Sequence, residues 1–152
     1  MKYAAVAALV FIGDFCLKRQ VEKQQEIPQG KKLFKGRIAV KRFHNRGAAM
    51  NFLEKCPGLV KKISGAVLLV VGLLWFLFLR KKQNPALLFG LSLMVGGGAN
   101  NLYDRMAKGY VVDYFSFCTP WKRLDKLVFN LSDLCIILGG ILVILFGRPK
   151  RQ

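Results

Sequence analysis

The chain has 152 residues, 25 Lys and Arg against 8 Asp and Glu, a formal net charge of +17 and 53% hydrophobic residues. Such basicity points first to nucleic acid, but long stretches without any charge interrupt it. That argues against a soluble basic domain and excludes a disordered chain. Four cysteines (Cys16, Cys56, Cys118, Cys135) without CxxC spacing, and the single histidine His44, give no zinc-binding pattern.

The first apolar stretch, Tyr3 to Gly13, follows Lys2 and has the size of a signal-peptide core. Asp14 and Phe15 ahead of Cys16 do not suit a cleavage site that needs small residues, so a helix over about 2–17 is expected. In the loop that follows, RIAVKRF (Arg37 to Phe43) alternates as a short strand, bracketed by Gly36 and Gly47. Seventeen uncharged residues separate Lys62 from Arg80, and a span over 63–79 is expected there. Twenty-one separate Lys82 from Asp104, and Pro85 suits a helix start, giving a third span over 85–103. Within it the run Gly96, Gly97, Gly98 allows close approach of a neighbouring helix or of a substrate chain. From Leu127 to Gly147 the only charge is Asp133, giving a fourth span over 129–146, with Gly147 and Pro149 as stop signals. The fold class is an all-α membrane protein, one domain of four transmembrane helices with a small β element in the first outer loop.

Four spans place both termini on one side. The short segments on that side, Lys2, Arg80 with Lys81 and Lys82, and Arg148 with Lys150 and Arg151, hold seven basic residues, which orients them to the cytoplasm. The other eighteen Lys and Arg lie in two long loops and count against this orientation, but the rule weighs most heavily near span ends. Cys56 and Cys118 then both lie outside, where free thiols are expected over a disulfide.

The eight acids carry the most information. Glu22, Glu26 and Glu54 lie in the first loop, where a solvated role is the default, and Asp125 in WKRLDK reads as a surface ion-pair member. Asp14, Asp104, Asp113 and Asp133 all fall at the outer ends of the helices. For Asp104 beside Arg105, a cap or an ion pair is the expected role. Asp133 is about six residues into its apolar stretch, roughly 9 Å along from Leu127. Asn130 and Ser132 are better caps, so Asp133 is expected to point inward, where an intramembrane acid usually has a task. Two carboxylates in one low-dielectric pocket cannot both ionise easily, and they titrate as a unit. That is the chemistry of aspartic proteolysis. Intramembrane acids also suit a small proton-coupled transporter, but its key acids should lie near the midplane, whereas these cluster toward one end.

Five short motifs in order resemble those of the signal peptidase II family, the lipoprotein signal peptidases. Asp14 and Lys18 match its D-Q-x-x-K, with Phe15 in place of glutamine. Asn45, Gly47, Ala48 and Ala49 resemble N-x-G-A-A-F, with Met50 last. NNLYDR resembles G-N-x-x-D-R, so that Asn101, Asp104 and Arg105 match and Asn100 replaces glycine. Gly109 to Tyr114 resembles G-x-V-V-D-F, and Phe129 to Asp133 resembles F-N-x-A-D, with Ser132 in place of alanine.

The resemblance implies a four-span aspartic endopeptidase of the bacterial inner or plasma membrane, with its active site near the outer face. It would cut prolipoproteins just before a diacylglyceryl-modified cysteine. By resemblance Asp113 and Asp133 are catalytic. Asn45, Asn101, Arg105 and Asn130 line the site and bind substrate, and Asp14, Lys18, Asp104 and Gly47 support it. The implied partners are lipid-modified prolipoproteins and membrane phospholipids, with no nucleic acid, no metal, no cofactor and a monomeric state. A non-catalytic paralogue that binds lipoproteins or lipids on the same scaffold is the alternative that the departures at Phe15, Asn100 and Ser132 leave open.

Overall fold

A computed structural model describes residues 1–24, 31–47, 53–81, 83–120 and 127–147. Four helices, α1 (Lys2–Lys23), α2 (Pro57–Arg80), α3 (Pro85–Ala107) and α4 (Leu131–Phe146), pack as a bundle. Three strands, β1 (Lys31–Leu33), β2 (Ile38–Asn45) and β3 (Val111–Phe117), form one antiparallel sheet in the order β1-β2-β3. Glu26, Ala48, Ala49, Met50, Lys82, Asp125, Arg148, Pro149, Lys150 and Arg151, all used in the sequence reading, lie outside the described residues.

Helix α3 is central, packing on α1, α2 and α4, and its glycine run makes this possible. Consecutive helical residues point about 100° apart, so three adjacent glycines face three neighbours. A Cβ on Gly96 would collide with the backbone of Ala7 in α1. One on Gly97 would lie 2.7 Å from the Ser132 carbonyl oxygen in α4, and one on Gly98 would lie 3.2 Å from Leu68 in α2. Of the two expected roles, close helix packing accounts for Gly96 and Gly97, while Gly98 also lines a cavity between α2, α3 and α4. Leu87, Leu88, Leu91 and Leu93 supply the apolar core of α3, and Trp75 of α2 donates its indole N–H to Ser92 at 2.9 Å.

The exterior of the bundle is apolar. In α2 only Val60 is buried, while Val67, Leu69, Val70, Leu73, Phe76 and Leu77 are exposed. In α4, Ile137, Ile141, Ile144 and Leu145 are exposed as well. A continuous exposed apolar surface of this extent suits lipid, not water. Among the described residues α2 alone is long and apolar enough to cross a membrane on composition, and α4 is apolar but has 16 residues. Helices α1 and α3 carry Asp14, Lys18, Asn100, Asn101 and Asp104, each less than a tenth exposed, and α1 also carries the exposed Arg19.

Several boundaries differ from the sequence reading. Helix α1 continues past residue 17 to Lys23, α2 starts at Pro57 ahead of residue 63, and α3 runs past residue 103 to Ala107. Helix α4 starts at Leu131, so Asp133 lies in its first turn and not six residues deep. The segment before it is held differently: Phe129 donates its N–H to Phe115 at 2.7 Å and accepts from the N–H groups of Tyr114 and Phe115. The expected strand is β2, shifted to Ile38–Asn45, and it belongs to a three-stranded sheet whose β3 comes from the second loop. The β1–β2 turn holds Phe34, Lys35 and Gly36 at positive φ (51°, 56° and 84°), where glycine is the least strained. All four cysteines are free, Cys56 and Cys118 included.

Candidate active site

The first turn of α4 organises the site. Asn130 is the N-cap: its side-chain oxygen accepts from the Asp133 N–H at 2.9 Å, and Asp133 Oδ2 accepts from the Asn130 N–H at 3.1 Å. This reciprocal capping box corrects the expectation that Asp133 stands apart from the cap. It caps with one oxygen, and the other, Oδ1, accepts from Asn101 Nδ2 at 2.9 Å.

Asp113 reaches the same place from β3. The bridge between Phe115 and Phe129 draws the strand alongside the start of α4. Asp113 Oδ1 then accepts from Asn130 Nδ2 at 2.7 Å, and Oδ2 accepts from Asn45 Nδ2 at 3.1 Å. Asn130 therefore touches both carboxylates, and it is fully buried. Asn45 is fixed in turn by the Gly47 N–H, which donates to its Oδ1 at 3.0 Å. Asp113 is 1% exposed. Burial first, and then the charge of Asp133, push it up to about 7; the amides of Asn45 and Asn130 and the Lys18 ammonium act in the opposite direction.

Asp113 and Asp133 line a cavity of about 350 Å³ together with Asn45, Asn101, Arg105 and Phe129. A second, mostly apolar cavity of about 280 Å³ adjoins it between α2, α3 and α4, lined by Val67, Leu68, Met94 and Ile136 and also reaching Asn101, Arg105 and Asp133. Arg105 donates to the carbonyl oxygens of Gly47 (3.1 Å) and Asn101 (3.4 Å), and its buried Nε has no partner among the described residues.

Behind the carboxylates lies a second polar cluster. The Lys18 ammonium is 1% exposed and contacts Asp14 Oδ2 (3.0 Å), Asp104 Oδ2 (3.2 Å), Asn100 Oδ1 (2.6 Å) and Asn101 Oδ1 (2.7 Å). Asp104 also pairs with Lys108 (2.9 Å) and accepts from the Val112 N–H (3.2 Å), which meets the expectation of an ion pair though not with Arg105. Asp14 accepts from the hydroxyls of Ser132 (2.5 Å) and Tyr114 (2.8 Å) and from the Leu131 N–H (3.2 Å). Burial and the adjacent Asp14 raise Tyr114, which therefore remains a donor. Glu22 is not merely solvated: it is hydrogen-bonded to His44 (2.7 Å) and Tyr110 (3.4 Å).

All ten residues expected at the site are thus brought to one end of the bundle. Sequence reasoning treated Asn100 as a departure, Ser132 as a departure and a candidate cap, and gave Tyr114 no role; the cap is Asn130, and Asn100, Ser132 and Tyr114 all bond into the cluster. Strand alternation was the available signal for Tyr114, since adjacent residues of β3 face opposite ways. Asp113 faces the cavity and Tyr114 faces Asp14.

Comparison with known proteins identifies the family and the fold. The family model described as signal peptidase (SPase) II matches residues 6–147. A lipoprotein signal peptidase of Vibrio campbellii is 32% identical, covering the whole of this chain and 91% of that protein. One from Streptococcus pneumoniae is 27% identical, over 97% of this chain and 93% of that protein. A bacterial membrane enzyme solved by the in meso method superposes with a TM-score of 0.79 at 19% identity, covering 99% of this chain and 93% of that one, which shows the shared fold. Together with the apolar exterior, these likenesses define a bacterial membrane enzyme. More narrowly, the chain belongs to the signal peptidase II family, whose work is the removal of signal peptides from lipoproteins.

Proposed function

We propose that the chain is an aspartic endopeptidase in which Asp113 and Asp133 are the catalytic pair, cutting a prolipoprotein just before its diacylglyceryl-modified cysteine. The observation that carries the reading is that one buried residue, Asn130, holds both carboxylates at the wall of one cavity.

The pair titrates as a unit and shares one proton, which we assign to Asp113, pushed up to about 7 by burial and by the charge of Asp133. Asp133 takes a proton from water, and the water oxygen attacks the scissile carbonyl carbon while Asp113 protonates the carbonyl oxygen. In the second step Asp133 passes its proton to the departing amine, the C–N bond breaks, and a hydroxyl of the diol returns a proton to Asp113. Atoms balance, and both side chains end as they began.

Asn45, Asn101 and Asn130 already spend their amide groups on the carboxylates, which suits them to positioning as well as to lining the pocket. Arg105 Nε is buried with no partner among the described residues, and it is the donor we assign to a carbonyl of the substrate backbone. The apolar cavity beside Asp133 suits an acyl chain or the apolar signal segment. In this reading all four helices cross the membrane, α1 and α3 with their polar residues turned inward. Both termini are cytoplasmic, and the site lies near the outer face, where the substrate's lipidated cysteine would sit.

The test is cleavage by purified protein in detergent of a synthetic prolipoprotein segment, with and without the diacylglyceryl group. Cleavage of the lipidated segment only is expected. Equal cleavage of both would overturn the lipid requirement, and cleavage of neither would favour a lipoprotein-binding paralogue.

A further inference from the structure

Lys18 is the one lysine among the described residues with an almost completely buried side chain. Burial of an ammonium is costly unless it is paired and hydrogen-bonded, and here four groups meet it. Two of them, Asp14 and Asp104, balance its charge. The other two are neutral amides on consecutive residues of α3. Asn101 Oδ1 accepts from the ammonium at 2.7 Å, so the Asn101 amide has its oxygen toward Lys18 and its NH₂ toward Asp133 Oδ1. A lysine donates only; with the ammonium in place the reversed amide would set NH₂ against NH₃⁺ and oxygen against carboxylate. Asn100 accepts at 2.6 Å and donates through Nδ2 to the Phe11 carbonyl at 2.7 Å, holding the ammonium and the α1–α3 seam in register. A glycine at position 100 could offer neither bond.

We infer that Lys18 is a positioning residue for the reaction: held by Asn100, its ammonium fixes the direction of the Asn101 amide and through it the carboxylate of Asp133. This inference rests on the catalytic pair proposed above. The charged groups that surround the relay are Asp14 on α1, Asp104 and Arg105 on α3, Asp113 on β3 and Asp133 on α4, with Lys108 bound to the far side of Asp104. The Lys18 charge favours ionisation of Asp113, so its removal should displace Asp113 further upward.

The experiment compares wild type, Lys18→Gln and Asn100→Ala, as purified full-length protein in detergent. Folded fraction, kcat and KM for the lipidated segment, and the infrared carboxylic-acid band of Asp113, assigned with Asp113→Asn, are measured against pH. Lys18→Gln is expected to lower kcat by about 30-fold or more with KM within about threefold, and to raise the midpoint of the Asp113 band. Asn100→Ala, which keeps both ion pairs, is expected to lower kcat about 3- to 10-fold with KM unchanged. If Lys18→Gln does not fold, Asn100→Ala decides. A folded variant with unchanged kcat and an unchanged Asp113 midpoint, whatever its thermal stability, would overturn the inference. The Asp113 midpoint reports the Lys18 charge, whereas the infrared carboxylate band of Asp133, assigned with Asp133→Asn, reads the relay itself without turnover; an unshifted Asp133 band in folded Lys18→Gln would overturn the inference even with an inactive wild type.

Discussion

Asn130 and Asp133 close a reciprocal capping box at the start of α4, and the same Asn130 amide that belongs to it donates to Asp113. Helix nucleation and site assembly therefore depend on one side chain. Asn130→Ala should cost about 1 kcal/mol through the lost cap and reduce kcat/KM about 100-fold or more through release of Asp113. Asn130→Ser retains a capping oxygen but not the amide donor, so it should recover the thermal stability without recovering cleavage. Thermal melts beside turnover measurements check this separation.

The elevated Asp113 has consequences for both rate and stability. Its proton is lost as pH rises through about 7, so kcat/KM should decline above that value. For stability, the folded-state value lies above the unfolded one near 3.9. The native state then binds more protons than the unfolded state between about pH 4 and pH 7, and stability falls as pH rises across that window. Asp113→Asn should remove this slope and, at pH 8, raise the unfolding temperature by a few degrees, on the order of 1 to 3 kcal/mol. Unfolding followed from pH 4 to 8 in both proteins gives the comparison.

Close approach of α3 to α4 depends on Gly97, where an added Cβ would lie 2.7 Å from the Ser132 carbonyl oxygen. Gly97→Ala should cost about 1 to 3 kcal/mol and lower activity, because Asn101 lies one turn further along the same helix and must reach Asp133. Gly65→Ala on α2 meets nothing within 4 Å, so its melting temperature and turnover should match wild type.

Much of this was legible in the chain, and what was not has physical causes. The uncharged run of α2 declares itself because its exposed side chains are apolar and Trp75, which carries a polar N–H, turns it to Ser92. The carboxylates stood out because acids are scarce in a strongly basic chain. The sheet was only partly visible: β1 has three residues, and the β3 sequence VVDYFSF draws its stability from pairing with β2, which no local pattern records. The depth of Asp133 was misread because hydropathy runs on through Phe129, although the Phe129 backbone pairs with β3 instead of entering the helix. Asn100 and Ser132 looked like losses when set against a motif. In space, each adds a hydrogen bond to the Lys18 and Asp14 pair.

Ser132 provides a check on that last point. Its hydroxyl is one of several donors to Asp14, the others being Tyr114, the Leu131 N–H and Lys18. Ser132→Ala should therefore cost no more than about 1 kcal/mol and leave kcat/KM within about threefold of wild type, as turnover assays will show.

The central claim is that two carboxylates perform the hydrolysis, and single-site neutralisation tests it most directly. Purified Asp113→Asn and Asp133→Asn, each verified as folded, are assayed for cleavage of a lipid-modified prolipoprotein segment in detergent. Both should lose cleavage by about 10³-fold or more. Wild-type turnover in either folded variant would contradict the assignment of that residue and, with it, the two-carboxylate mechanism.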